Sequence, residues 1–252
     1  MQARRDAAIA LAREAGALAQ RMRPGLGSPT LKGAQDWLTE ADGAVERLVG
    51  ERLAALFPTD GLLGEEGAQR PGSPVWVVDP IDGTSNFSRG GGRWAVSLGL
   101  VADGVPVLGV IHVPDLDETY AAVAGGPATL NGVPIRAAPT ASLARAIIEV
   151  GWSPRRPSEG HRRLYLGLQE AGAMLRNSGS AAVSLAEIAA GRLDGYAELH
   201  VNSWDCAAGL AILEASGARV PPLPADWLTA GLPILVAAPG LAAEMGEVTG
   251  LP

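Results

Sequence analysis

Apolar residues recur at helical spacing near the start of the chain. Ile9, Leu11, Ala12, Ala15 and Leu18 form one stripe, which predicts an amphipathic helix over 3–22 that Pro24 and Gly25 end. Residues 24–35 (PGLGSPTLKGAQ) read as a Gly/Pro-rich loop. A second helix is predicted over 39–57. Thr39 is its N-cap, Asp42 takes the place of the capping-box acid, and Pro58 stops it. Leu48, Leu53, Leu56 and Phe57 supply its buried side.

The pattern then turns to strands. VWVVD (75–79) is a short apolar run, 94–114 reads as two strands joined at Asp103-Gly104, and 119–125 as another. An Asn-Gly turn signal lies within 130–135. These segments predict a mostly antiparallel sheet over 75–135. Beyond 140 the periods mix. Strands are expected at 146–151, near 195–200 and at 234–239, and helices over 158–173, 180–191 and 205–217, the last stopped by Gly217. The expected fold class is mixed, an N-terminal α+β unit over 1–140 followed by a C-terminal α/β unit over 141–252.

Composition narrows the chemistry. The chain has 252 residues, 47 % of them hydrophobic, which is ample for a buried core. Twenty basic residues against 27 acidic ones give a net charge of −7, which argues against a nucleic-acid partner. One cysteine excludes an internal disulfide and any multi-cysteine metal site within the chain. Three scattered histidines argue against a His-rich metal centre, so a bound metal would depend on carboxylates and be a hard cation. No charge-free stretch reaches the roughly 20 residues of a membrane span, and the N-terminus lacks a signal peptide's apolar core. A cytoplasmic protein with no membrane partner is expected.

One segment stands apart, VVDPIDGTSNF at 77–87. An apolar strand runs into Asp79, Pro80 keeps the preceding residue extended, and Gly83 permits a tight turn after Asp82. Two carboxylates fixed in this way can converge on a cation. The N–H groups of Gly83 and Thr84 can face a phosphoryl group in the same space. An Asp-rich surface turn has similar composition and remains the alternative at this point. Asp205, at the start of an apolar helix, is either an N-cap or a carboxylate aimed into a shared site. Lys32 is either a solvated loop residue or one that swings over the site.

Several motifs, in order, carry a resemblance. They are Lys32 with Asp36-Trp37-Leu38-Thr39-Glu40-Ala41-Asp42, then Gly64-Glu65-Glu66, Asp79-Pro80-Ile81-Asp82-Gly83-Thr84-Ser85-Asn86-Phe87, Gly179-Ser180-Ala181-Ala182 and Trp204-Asp205-Cys206-Ala207-Ala208-Gly209. The chain resembles the inositol monophosphatase family over roughly 30 to 217. The resemblance implies a layered αβαβα fold, a Mg²⁺-dependent phosphomonoesterase with two to three ions per subunit, and a homodimer. It implies that Glu65, Asp79 and the carbonyl of Ile81 hold one ion, that Asp79, Asp82 and Asp205 hold a second, and that Glu65 helps place a third. Thr84 and Glu65 would orient the attacking water, with Asp42 supporting Thr84 and Lys32 near the metals. Gly83 and Thr84 would receive the phosphate. Asp82, Gly179, Ser180, Ala181, Glu198 and Asp205 would line the substrate.

The implied substrate is inositol 1-phosphate or a similar small polyol or sugar phosphate. Histidinol phosphate, a 3′-phosphonucleotide and fructose 1,6-bisphosphate are the alternatives, and a catalytically inactive binding homologue is the alternative of a different class. Departures from the family pattern bear on this choice. Asn202 stands where animal members have His, and Ser88–Arg93 (SRGGGR) replaces a hydrophobic tract. That segment is either an altered surface turn or a device that widens the pocket or binds a second anion. The basic run Arg155, Arg156, His161, Arg162 and Arg163 is a solvated helix start, a lip of the pocket or a dimer contact.

Overall fold

The structure is a computed structural model. It describes residues 1–27, 29–33 and 36–252, with the backbone alone described at 32, 33, 36 and 37. Helix α1 (Gln2–Met22) leads to a hairpin of β1 (Thr30–Gly33) and β2 (Asp36–Leu38), then to α2 (Glu40–Leu56). There follow β3 (Gly61–Gly64), β4 (Gln69–Arg70), β5 (Val75–Asp82), the short helix α3 (Thr84–Ser88), β6 (Ala95–Ala102) and β7 (Val105–Val113). Strands β8 (Glu118–Val123), β9 (Thr129–Leu130) and β10 (Val133–Pro134) complete the first half. The second half runs β11 (Ile147–Val150), α4 (Ser158–Glu170), β12 (Met174–Arg176), α5 (Ala181–Ala189), β13 (Gly195–Val201) and α6 (Ser203–Ser216). It ends with α7 (Trp227–Ala230), β14 (Leu232–Ala237) and α8 (Ala242–Thr249).

These elements stack in five layers. The eight-stranded sheet has the order β10-β9-β8-β7-β6-β5-β3-β4, and the four-stranded sheet the order β12-β11-β13-β14. Strand alternation sends side chains to two different cores. Trp76 and Val78 of β5 pack with Ala12 and Ala15 of α1 and Val45 and Val49 of α2. Val77, between them in sequence, packs on the opposite face with Leu185 of α5 and Ile212 of α6. The other side of α5 and α6 is covered by Tyr196, Ile234 and Val236 of the second sheet. That sheet's outer face, with Ile148, Val150 and Ala197, meets Leu164 and Leu168 of α4 and Met245 of α8. The layered αβαβα arrangement is therefore the observed one.

Helix α6 lies very close to the first sheet. A Cβ on Gly109 of β7 would stand 2.0 Å from the Ala208 carbonyl oxygen, and one on Gly99 of β6 would stand 2.8 Å from the Ala207 Cβ. The small residues of DCAAG thus meet two glycines. The expected turns also form. Asp103-Gly104 and Asn131-Gly132 each adopt positive φ between two-residue-linked strands.

Several expectations are corrected. The 24–35 segment is more than a loop, because it contains β1 and leads into β2. The sheet over 75–135 is antiparallel as expected, and it extends beyond that range through β3, which pairs parallel with β5. Strands β3, β4 and β12 and helices α7 and α8 are additions. They are too short, or too interrupted by Gly and Pro, to carry a period. Helix α6 begins at Ser203, which moves Asp205 from the N-cap position into the first turn.

Candidate active site

Parallel strands β3 and β5 end together, and Gly64 is in register with Val78. Glu65 therefore emerges beside Asp79, with its N–H donating to the Val78 carbonyl at 3.1 Å. Buried Glu46 of α2 holds the turn that follows, accepting from the N–H groups of Glu66 and Ala68, each at 2.8 Å. Gly64 leaves room for that carboxylate, since a Cβ there would meet a Glu46 oxygen and push the side chain aside.

Asp79 and Asp82 are three residues apart, and in a regular pleat they would face opposite sides. The β5–β6 register shifts between them, from Asp79 opposite Ser97 to Asp82 opposite Ala95. That bulge re-aims the strand end. Pro80, which has no N–H to give to a ladder, is tolerated at such an irregularity. The Asp79 carboxylate accepts from the Ile81 N–H at 3.0 Å, which fixes the bend. Gly83 then takes φ +94°, and a Cβ there would stand 2.8 Å from the Arg93 carbonyl.

Asp82 reaches the start of α5. Its Oδ2 accepts from the Ser180 hydroxyl and from the Ala182 N–H at 2.7 Å. Ser180 is the N-cap of that helix. Asp205 Oδ2 accepts from the Asn202 N–H at 2.8 Å and so closes a capping box, yet the carboxylate also faces the site. The cap role and the shared-site role are thus compatible. Asp79, Asp82 and Asp205 each offer an oxygen, and these oxygens all lie within 4.8 Å of one another.

Such a cluster is electrostatically expensive when it stands alone. Burial, then the charges of Glu65, Asp82 and Asp205, push Asp79 well above the usual carboxylate range. Burial, then Asp82 and Glu65, does the same to Asp205. Asp82 is pushed up to about 6 by burial, against the hydrogen bonds of Ser180 and Ala182. Among the described residues no basic side chain forms an ion pair with these three. A divalent cation would relieve that repulsion, and an all-oxygen donor set suits a hard one. The residues fit a metal.

A hydroxyl relay stands next to the cluster. Thr84 Oγ1 lies 2.9 Å from the Ile81 carbonyl and 3.0 Å from Asp42 Oδ1. The other oxygen of Asp42 accepts from the Thr39 N–H at 2.8 Å and from its hydroxyl at 2.5 Å, completing the α2 capping box. Asp42 is fully buried, and that burial raises its pKa.

A cleft of about 630 Å³ opens from this cluster. Of the residues predicted from sequence, Glu65, Asp79, Ile81, Asp82, Gly83, Thr84, Gly179, Ser180, Ala181, Glu198 and Asp205 all line it. Asp42 sits behind Thr84. Lys32 lies on β1, but its side chain is outside the described residues. Glu198, on the far wall, accepts from the Tyr196 hydroxyl and is pushed up to about 7 by burial. Gly151 makes room for it, because a Cβ there would stand 2.2 Å from a Glu198 oxygen.

The SRGGGR segment does not reach the cleft. Arg93 turns inward instead, to Glu187 at 2.9 Å and to the Ser178 hydroxyl at 2.9 Å. Of the basic run, Arg155 lines the cleft, whereas Arg162 pairs with Glu159 on the helix surface. Sequence reading missed Glu46, Glu149 and Tyr196. Glu46 alone left a signal, lying one helical turn after Asp42 on the same face of α2.

Comparison with known proteins agrees with this geometry. The model of the inositol monophosphatase family matches residues 1–247. The chain belongs to the inositol monophosphatase family, a family of metal-dependent phosphatases. It is 38 % identical over 194 residues to an inositol-1-monophosphatase of Rhizobium meliloti, covering 75 % of this chain and 73 % of that one. It is 37 % identical over 192 residues to the Nus factor SuhB of Xylella fastidiosa, covering 75 % and 70 %. The solved inositol monophosphatase of Anabaena superposes with a TM-score of 0.87 at 30 % identity, covering 100 % of this chain and 97 % of that one. Among the described residues no helix is long and apolar enough to cross a membrane.

Proposed function

We propose that this chain is a Mg²⁺-dependent phosphomonoesterase that acts on inositol 1-phosphate or a similar small polyol phosphate. The observation that carries the reading is the convergence of Asp79, Asp82 and Asp205 on one wall of a cleft whose far wall holds Glu198. Glu65, Asp79 and the Ile81 carbonyl would hold one ion, and Asp79, Asp82 and Asp205 a second. Glu65 would help place a third. Bound cations supply Lewis acidity, making water a better nucleophile and offsetting charge on the phosphoryl oxygens and leaving alkoxide.

The chain's own residues position the reactants. The Thr84 hydroxyl has one proton. Donating it to Asp42 leaves a lone pair that accepts a proton of the attacking water. Glu65 accepts the other, which aims the water oxygen at phosphorus. Gly83 and Thr84 present backbone N–H groups to the phosphate, an approach supported by the absence of a Cβ at residue 83. Ser180, Ala181 and Glu198 would face the alcohol portion, with Glu198 accepting from a hydroxyl. In this reading 1–140 supplies most metal ligands, and 141–252 supplies Asp205 and the substrate contacts. Lys32 would sit near the metals. The homodimer is carried over from the family resemblance.

Phosphate release from inositol 1-phosphate tests the reading. Release should require magnesium, stop on chelation and return when magnesium is restored. No magnesium-dependent release from any small phosphate ester would overturn it. Arg155 at the cleft lip favours a sugar bisphosphate as the second reading, and clear preference for fructose 1,6-bisphosphate in the same assay would select it.

A further inference from the structure

The far wall of the cleft is one face of the four-stranded sheet. Glu149 of β11 is in parallel register with Tyr196 of β13. Alternation therefore puts Glu149, Tyr196, Glu198 and His200 on the same face, and all four line the cleft. Ile148, Val150 and Ala197 point the other way, into the outer core.

Glu149 has two unlike oxygens. It is 2 % exposed. Its Oε1 accepts from the Ser178 N–H and, at 2.7 Å, from the Ser178 hydroxyl. That hydroxyl in turn accepts from Arg93. Its Oε2 has no hydrogen-bond partner among the described residues. The Tyr196 hydroxyl is committed to Glu198 and does not serve it. A buried acceptor left unpaired is costly, and a carboxylate oxygen more so than a neutral one. An unpaired carboxylate oxygen beside a substrate cleft is set up for a donor that arrives with the ligand.

We propose that Glu149 is a specificity-determining, substrate-binding residue whose second oxygen accepts a hydrogen bond from a hydroxyl or ammonium group on the alcohol portion of the substrate. The proposal rests on the phosphatase reading above and names its substrate class, phosphate esters with a hydrogen-bond donor remote from the phosphorus.

Glu149→Gln separates recognition from support. The amide carbonyl can still accept from Ser178, while an N–H group replaces the unpaired oxygen. Steady-state kinetics with magnesium would be measured on inositol 1-phosphate, phosphoethanolamine and p-nitrophenyl phosphate, the last having no donor on its alcohol portion. KM should rise about tenfold or more for a donor-bearing ester, with kcat nearly unchanged and p-nitrophenyl phosphate unaffected. Whether the inositol ester or the amine suffers tells hydroxyl from ammonium. Ser178→Ala, which loosens the loop and leaves the carboxylate, should act equally on all three substrates. An equal loss on all three in Glu149→Gln would make Glu149 a support for Ser178 and overturn the proposal, as would no loss on any. Wild-type protein inert toward p-nitrophenyl phosphate and the other two would overturn the phosphatase reading itself, a separately visible result.

Discussion

The two walls of the cleft are built on opposite principles. The near wall gathers carboxylates from strand ends and helix starts, and they are tied to backbone N–H groups. Asp79 is tied to Ile81, Asp82 to Ala182 and Asp205 to Asn202. The far wall is a strand face, where Glu149, Tyr196 and Glu198 stand on regular β-structure and bond mainly through side chains. The first wall fixes charge in place, as chemistry at phosphorus needs. The second offers acceptors whose partners can vary with the ligand. One wall should therefore set turnover and the other substrate choice.

The sharpest way to break this comparison is at Asp205. Asp205→Asn keeps a carbonyl for the Asn202 N–H but removes the charge. We expect kcat to fall at least about 100-fold on every substrate, with an unchanged far-ultraviolet circular dichroism spectrum. Substrate-dependent loss there would erase the distinction between the walls. Next in size is Gly109→Ala. The added methyl group would meet the Ala208 carbonyl oxygen, and urea denaturation should show a loss of about 1–3 kcal/mol, with reduced activity in whatever still folds. Wild-type stability would mean that α6 is free to lift away. The smallest expected effect is at Glu198→Gln. KM for inositol 1-phosphate should rise about tenfold with little change in kcat. A fall in kcat with KM unchanged would place Glu198 functionally on the near wall.

The near wall was legible because its signals are local in sequence. Pro80 and Gly83 mark the bend, Thr39 and Asp42 the cap, and Trp204-Asp205 the start of a helix. Even so, the bulge that turns Asp82 to the side of Asp79 is visible only in the β5–β6 register. Apart from Glu198, which the family resemblance supplied, the far wall left little trace. Glu149 interrupts Ile-Ile-Glu-Val as a lone acid in an apolar strand, and its place on the cleft face follows from Tyr196, 47 positions away by numbering, through parallel pairing. Arg93 sits in a Gly-rich stretch that reads like a surface turn, and only the arrival of Glu187 and Ser178 from the second half gives it a place. Short elements were lost for a related reason. Strands β3 and β4, at four and two residues, are stabilised by their neighbours rather than by any pattern of their own.

The bare backbone of Gly99 and Gly109 beneath α6 also bears on how this protein can vary. Because the helix that carries Asp205 comes closest to the sheet at these two glycines, a side chain at either would lift it first where the carboxylate is anchored. Substitutions of similar volume at buried neighbours such as Ile111 and Ile212 should disturb the site less than a single methyl group at Gly109.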